Sequence, residues 1–164
     1  MPLTNTEHMS RRTLLQAGIT SALYTLALQA HGANTKPMIE VWKTPTCGCC
    51  KDWVKHLQDN GFEVKINDIS DAAKRDQRAR LGLAEKYGAC HTALVGGYVV
   101  EGHVPAREIQ RLLKERPRAL GLVVPGMPVG SPGMDGPDYG GLNDPYSVLL
   151  VQRDGNSSIY RAYP

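Results

Sequence analysis

The chain has 164 residues, 41% hydrophobic and 21% charged, which suits one globular domain with a modest core. Its formal net charge of +3 is small and evenly spread, and a single Phe with scattered Tyr gives no series of rings for stacking bases. Nucleic acid is therefore excluded as a partner.

Residues 1–16 are polar and carry Arg11 and Arg12. Residues 17–30 carry no charge, and the small residues Ala30, Gly32 and Ala33 follow. A basic start, a short apolar stretch and a small-residue end predict a signal peptide over residues 1–33. The stretch is too short to span a bilayer, which needs about 20 apolar residues. It also lacks the polar face of an amphipathic helix. Ser10-Arg11-Arg12-Thr13-Leu14-Leu15 resembles a twin-arginine export signal, a route that carries folded proteins. Loss of Arg11, Arg12 and Glu7 leaves residues 34–164 with a net charge of +2. No later apolar run is long enough to anchor the mature chain, and nothing demands more than a monomer.

The mature chain opens on Met38–Lys43, short and β-branched, a predicted strand ended by Thr44-Pro45-Thr46. Cys50, Trp53, Val54 and Leu57 recur at i, i+3, i+4 and i+7, an amphipathic helix stopped by Asn60-Gly61. Phe62–Ile66 alternates as a second strand. Ser70 caps a helix over 71–80, whose Lys74, Arg75, Arg78 and Arg80 read as a solvated face. Thr92–Val95 and Tyr98–Glu101 flank Gly96-Gly97 as a hairpin. Pro105 takes the first position of a helix with an Ile109, Leu112, Leu113 stripe, ended by Pro117. The order strand, helix, strand, helix, strand, strand, helix predicts an α/β, thioredoxin-like domain with a parallel first pair and an antiparallel second pair. Residues 117–164 form a Pro/Gly-rich C-terminal extension. Its 117–146 stretch is read as an ordered arm across the domain, and its end as a terminal β-hairpin, 147–152 with 158–162.

All four cysteines, Cys47, Cys49, Cys50 and Cys90, lie in the mature chain. Structural disulfides are the default for an exported protein. Here they are strained, because Cys49 and Cys50 are neighbours and a Cys47–Cys50 dithiol leaves Cys49 surplus. The cluster lies between a strand and a helix N-terminus, where free N–H groups and the helix dipole favour thiolate. Thiol redox and soft-metal binding both remain. Three thiolates within four residues repel unless a cation lies among them. Tetrahedral zinc usually draws on two separated Cys pairs, and iron–sulfur clusters on four cysteines. Bridging thiolates this close suit Cu(I) best.

Other soft donors are within reach of the fold. In a thioredoxin fold the residue entering the third strand faces the CxxC loop and is ordinarily Pro. Here His91 stands before Thr92, so Cys90-His91 points an imidazole or a sulfur at the cluster. His103 precedes the Pro105 helix. Met127 sits in the arm, where thioether sulfur is a Cu(I) donor, and Met134 reads better as a lid over apolar core. His56 is assigned to a surface pair with Asp52 and, like His8 and His31 of the export segment, is left out of the site.

The blocks Thr44-Pro-Thr-Cys-Gly-Cys-Cys50, Cys90-His-Thr-Ala-Leu-Val-Gly-Gly-Tyr98, Glu101-Gly-His-Val-Pro105 and Val124-Pro-Gly-Met-Pro-Val-Gly-Ser-Pro-Gly-Met134 together resemble the CopG-like copper-resistance proteins of Gram-negative bacteria. The resemblance runs from about residue 38 to the end. It implies a thioredoxin domain whose extension contributes to metal binding, and a cluster of several copper ions bridged by Cys sulfurs. It further implies a role in interconverting Cu(I) and Cu(II) in the periplasm alongside copper efflux components. Cys47, Cys49 and Cys50 match the family's CxCC motif, and they are the residues expected to carry any turnover. Cys90, His91, His103 and Met127 join them as expected metal ligands by position and softness. Thiol–disulfide exchange, with Cys47 as nucleophile and Cys50 as resolving thiol, and a non-catalytic copper store or chaperone are the competing readings.

Overall fold

The computed structural model describes residues 36–164, so the signal-peptide reading of residues 1–33 lies outside the described residues. Seven strands form one sheet in the order β2-β1-β3-β4-β5-β6-β7. They are β1 (Met38–Lys43), β2 (Glu63–Asp68), β3 (His91–Val95), β4 (Tyr98–Glu101), β5 (Gly121–Val123), β6 (Tyr146–Val151) and β7 (Ser157–Tyr163). The helices are α1 (Gly48–Asp59), α2 (Asp71–Arg80) and α3 (Ala106–Glu115). The α/β class holds, β1 and β2 pair in parallel, and β3 and β4 pair antiparallel. Among the described residues no helix is long and apolar enough to cross a membrane.

Alternation along the strands separates two apolar clusters, because successive side chains point to opposite faces. Val100, Leu122 and Val148 belong to the larger cluster with Trp53, Leu57, Ile109 and Leu112, so α1 and α3 share that face. Val99, Val123 and Val151 turn the other way, onto Leu83, Tyr87 and Leu120. The stripe Cys50, Trp53, Val54 and Leu57 read from the sequence is the buried face of α1. Asn60 caps α1, and Gly61 follows with φ of 87°. Gly96 and Gly97 both have positive φ, as a tight two-residue hairpin requires.

Four expectations change. Pro105 is the N-cap of α3 and not its first residue. The start of the Pro/Gly tract contains β5, parallel to β4, and β6 pairs with β5, so the terminal hairpin continues the main sheet. His56 does not serve a surface pair with Asp52. Its Nε2 accepts from the Ala106 amide at 3.0 Å and so satisfies an otherwise free donor at the start of α3. The charged face of α2 is not fully solvated either: Lys74 and Arg78 are buried, while Ser70 caps the helix as expected.

Candidate metal centre

The cysteine cluster lies where β1 gives way to α1. Cys47 is the extended N-cap residue of α1, and Cys49 and Cys50 occupy its first turn, which carries no acidic side chain. The helix N-terminus therefore presents its positive end to the sulfurs without a competing carboxylate. Cys47 and Cys50 are joined as a disulfide, and Cys49 and Cys90 are free. Cys49 Sγ is 3.6 Å from Cys47 Sγ, and Cys50 Sγ is 3.8 Å from the Cys90 carbonyl oxygen.

The sulfurs of Cys47, Cys49, Cys50 and Cys90 all lie within 4.8 Å of one another. Cys90, His91 and His103 form a second group of the same tightness. Cys90 belongs to both, so its sulfur joins a thiolate-rich half to an imidazole-containing half. The antiparallel pairing of β1 with β3 brings this about: Lys43 pairs with His91, which sets the end of β1 beside the start of β3.

The two histidines are fully buried. His103 Nδ1 donates to the Pro132 carbonyl at 2.7 Å, which leaves Nε2 as a bare acceptor 3.0 Å from Cys90 Sγ. This is the arrangement in which an outer carbonyl fixes the tautomer of a ligating imidazole. His91 Nδ1 is 3.2 Å from the same sulfur, while its Nε2 is buried with no hydrogen-bond partner. A buried polar atom left unpaired is costly, and a soft cation accepting its lone pair would remove that cost. The ring of His91 stacks on Trp53 with centroids 4.1 Å apart, and Trp53 Nε1 donates to Val104 O, so the imidazole has little freedom to turn.

Electrostatics favour neutral donors. Burial, reinforced by the neighbouring His103, holds the His91 imidazole well below its ordinary pKa. Burial likewise lowers His103, against the opposing pull of Pro132 O. Burial, then the adjacent Cys49, pushes the Cys90 thiol up to about 12. Metal binding at Cys90 must therefore displace a firmly held proton, and neutral imidazole nitrogens stand beside it to take part.

The arm closes one side of the site. Its turns are internally bonded, Gly130 N to Met134 O and Met134 N to Ser131 O. A Cβ placed on Gly133 would stand 2.6 Å from Cys49 O and 2.7 Å from Trp53 N, so the arm backbone lies directly on the first turn of α1. Met134 is buried and its Sδ accepts from the Tyr139 hydroxyl at 3.3 Å, in keeping with its reading as a lid. Met127 is 53% exposed. Sequence reasoning missed Lys74, whose Nζ donates to Cys90 O at 2.9 Å. Its signal, a Lys one turn from an Arg on a helix poor in apolar residues, reads equally well as solvated surface.

Residues 87–134, which hold Cys90, His91, His103 and most of the arm, match a family model described as protein of unknown function, DUF411. No curated protein matches the chain. Among solved structures, copper resistance protein CopG form 1 is 45% identical, with a TM-score of 0.70, over 77% of this chain and 97% of its own. Form 2 is 44% identical, also with a TM-score of 0.70, over 78% of this chain and 98% of its own.

Proposed function

The chain belongs to the family of CopG copper resistance proteins, and from that premise we propose that it is a periplasmic copper-binding protein. In this reading the signal peptide is removed and the mature domain, thioredoxin-like at its core with residues 117–164 as extension, holds a thiolate-bridged cluster of several copper ions as cargo. The observation that carries it is the sharing of Cys90 between a four-sulfur group and a Cys-His-His group. Soft sulfur favours Cu(I) and imidazole supports Cu(II), so the shared set accommodates both oxidation states. Cys47, Cys49 and Cys50 hold the sulfur-rich half, and Cys90, His91 and His103 the mixed half. Met127, exposed on the arm, is a further donor in this reading by the softness of its sulfur.

Interconversion of Cu(I) and Cu(II) is the activity this mixed site favours, each oxidation passing one electron to an acceptor outside the chain. Copper so handled would pass to periplasmic efflux components, with the protein acting as a monomer. The test is titration of the fully reduced protein with Cu(I) against a chelator, alongside Cys49→Ser. Wild type is expected to take up several ions, and the variant fewer, because a bridging sulfur is gone. Absence of tight binding, or equal stoichiometry in the variant, would remove the reading. Stopped-flow oxidation of the loaded protein then separates turnover from storage. A rate no faster than that of free Cu(I) leaves a store or chaperone.

The Cys47–Cys50 disulfide at a strand-to-helix junction favours one second reading, thiol–disulfide exchange with Cys47 as nucleophile. The buried histidines beside Cys90 and the surplus Cys49 are unused by that chemistry. Metal-free insulin reduction at a thioredoxin-like rate would revive it.

A further inference from the structure

Helix α2 has the sequence Asp-Ala-Ala-Lys-Arg-Asp-Gln-Arg-Ala-Arg, with only alanines as apolar residues, yet it packs against β1 and β3. What it buries is two cations. Lys74 and Arg78 are 7% and 6% exposed and sit four residues apart on one helical face. Burying charge is expensive, and apolar residues of similar volume often stabilise as well or better. The bonds these cations make are directed at one segment.

Lys74 Nζ donates to Cys90 O at 2.9 Å and is held from the solvent side by Asp71 at 2.9 Å. Arg78 Nη2 donates to Ala89 O at 3.0 Å, and its Nε and Nη2 engage Glu101 Oε1 at 2.9 and 2.7 Å. Glu101 is fully buried, and it accepts from the Ala89 amide at 2.6 Å and from the Thr92 hydroxyl at 2.6 Å. Cys90 is thus tied to the Lys74–Asp71 pair, and Ala89 and Thr92 to the network of Arg78 and Glu101, with His91 between them. Glu101 also stands two residues before His103, so the network fixes both approaches to the imidazole pair.

We propose that Lys74 and Arg78 are positioning residues for the copper site, holding the 89–92 segment so that Cys90 Sγ and His91 face the CxCC loop. The inference rests on the copper-binding reading above. The two cations act through the backbone and through Glu101, and neither touches the cargo. Outer partners of this kind commonly change metal affinity by roughly 10–100-fold when lost.

Two measurements on the reduced full chain test it, one with copper and one without. Lys74→Gln should weaken Cu(I) retention against a chelator by roughly 10–100-fold while far-UV circular dichroism is unchanged, and Lys74→Arg should restore most of the loss. In the metal-free protein, amide hydrogen exchange across residues 89–92, followed by mass spectrometry, should accelerate several-fold in Lys74→Gln and return towards the wild-type rate in Lys74→Arg. Arg78→Lys keeps a charge for Glu101 but gives up the fork that also reaches Ala89 O, and should move both readouts the same way. Wild-type exchange rates across residues 89–92 in both Lys74→Gln and Arg78→Lys would overturn the proposal. A wild-type protein that fails to retain copper, with the exchange differences intact, would instead overturn the functional reading and leave the positioning role standing.

Discussion

Opening the Cys47–Cys50 bond with a phosphine should raise Cu(I) affinity by about three orders of magnitude, or roughly 4 kcal/mol. The disulfide form offers Cys49 and Cys90 as its thiols, because two of the four clustered sulfurs are committed to each other. Thiolate is the form that binds metal, so the bond removes half the sulfur donors at once. Binding linkage is reciprocal. If reduction favours copper by that factor, bound copper must favour the dithiol equally, raising its midpoint potential by about 90 mV for a two-electron couple. Chelator competition on protein poised in defined dithiol buffers, with alkylation and mass measurement of the Cys47–Cys50 state, reads both sides of the cycle. Equal affinity in the two states would mean that Cys47 and Cys50 are not ligands, and the centre would shrink to Cys49, Cys90 and the histidines.

The second large effect is expected at Gly133→Val. Gly133 has φ of 84°, a region that costs a side-chain-bearing residue about 1–2 kcal/mol. Its Cβ would also press on Cys49 O and Trp53 N, both backbone atoms of a helix that cannot yield cheaply. Overpacking of this kind costs about 1–3 kcal/mol. The arm, held by short turns of its own, is the more compliant partner and should lift away. The core strands should then keep their hydrogen-exchange protection while amides in residues 126–140 lose theirs. Copper retention should fall by roughly 10–100-fold as His103 loses its Pro132 acceptor. Unchanged arm protection together with unchanged copper retention would show that the arm does not support the site.

Much of this was legible in the sequence because its signals are local. Cys50, Trp53, Val54 and Leu57 announce a buried helical stripe by spacing alone, and Gly96-Gly97 announces a hairpin by conformational need. Three of the four clustered sulfurs are adjacent along the chain, so proximity needs no fold to establish it. What stayed hidden depends on distant partners. His56 caps a helix that begins 50 residues later. Arg78 is buried because Glu101, 23 residues away, meets it across the fold. β5 has three residues, beginning with Gly in a Pro/Gly-rich tract, too few to show a period of two. The acceptor for His103 is a backbone carbonyl, and a carbonyl leaves no mark in residue identity.

The bond from His103 Nδ1 to Pro132 O has a mechanical meaning as well. The imidazole keeps its proton on the outer nitrogen only while the arm stays seated. If the arm rises by more than the length of a hydrogen bond, that acceptor is lost, and the Cys90 sulfur, 3.0 Å from Nε2, is left as the partner that biases which nitrogen carries the proton. A displacement of backbone is thereby converted into a choice of which lone pair faces the sulfurs. The seating of the arm and the identity of the donor atom that faces the sulfurs are thus one variable, set by a single backbone carbonyl.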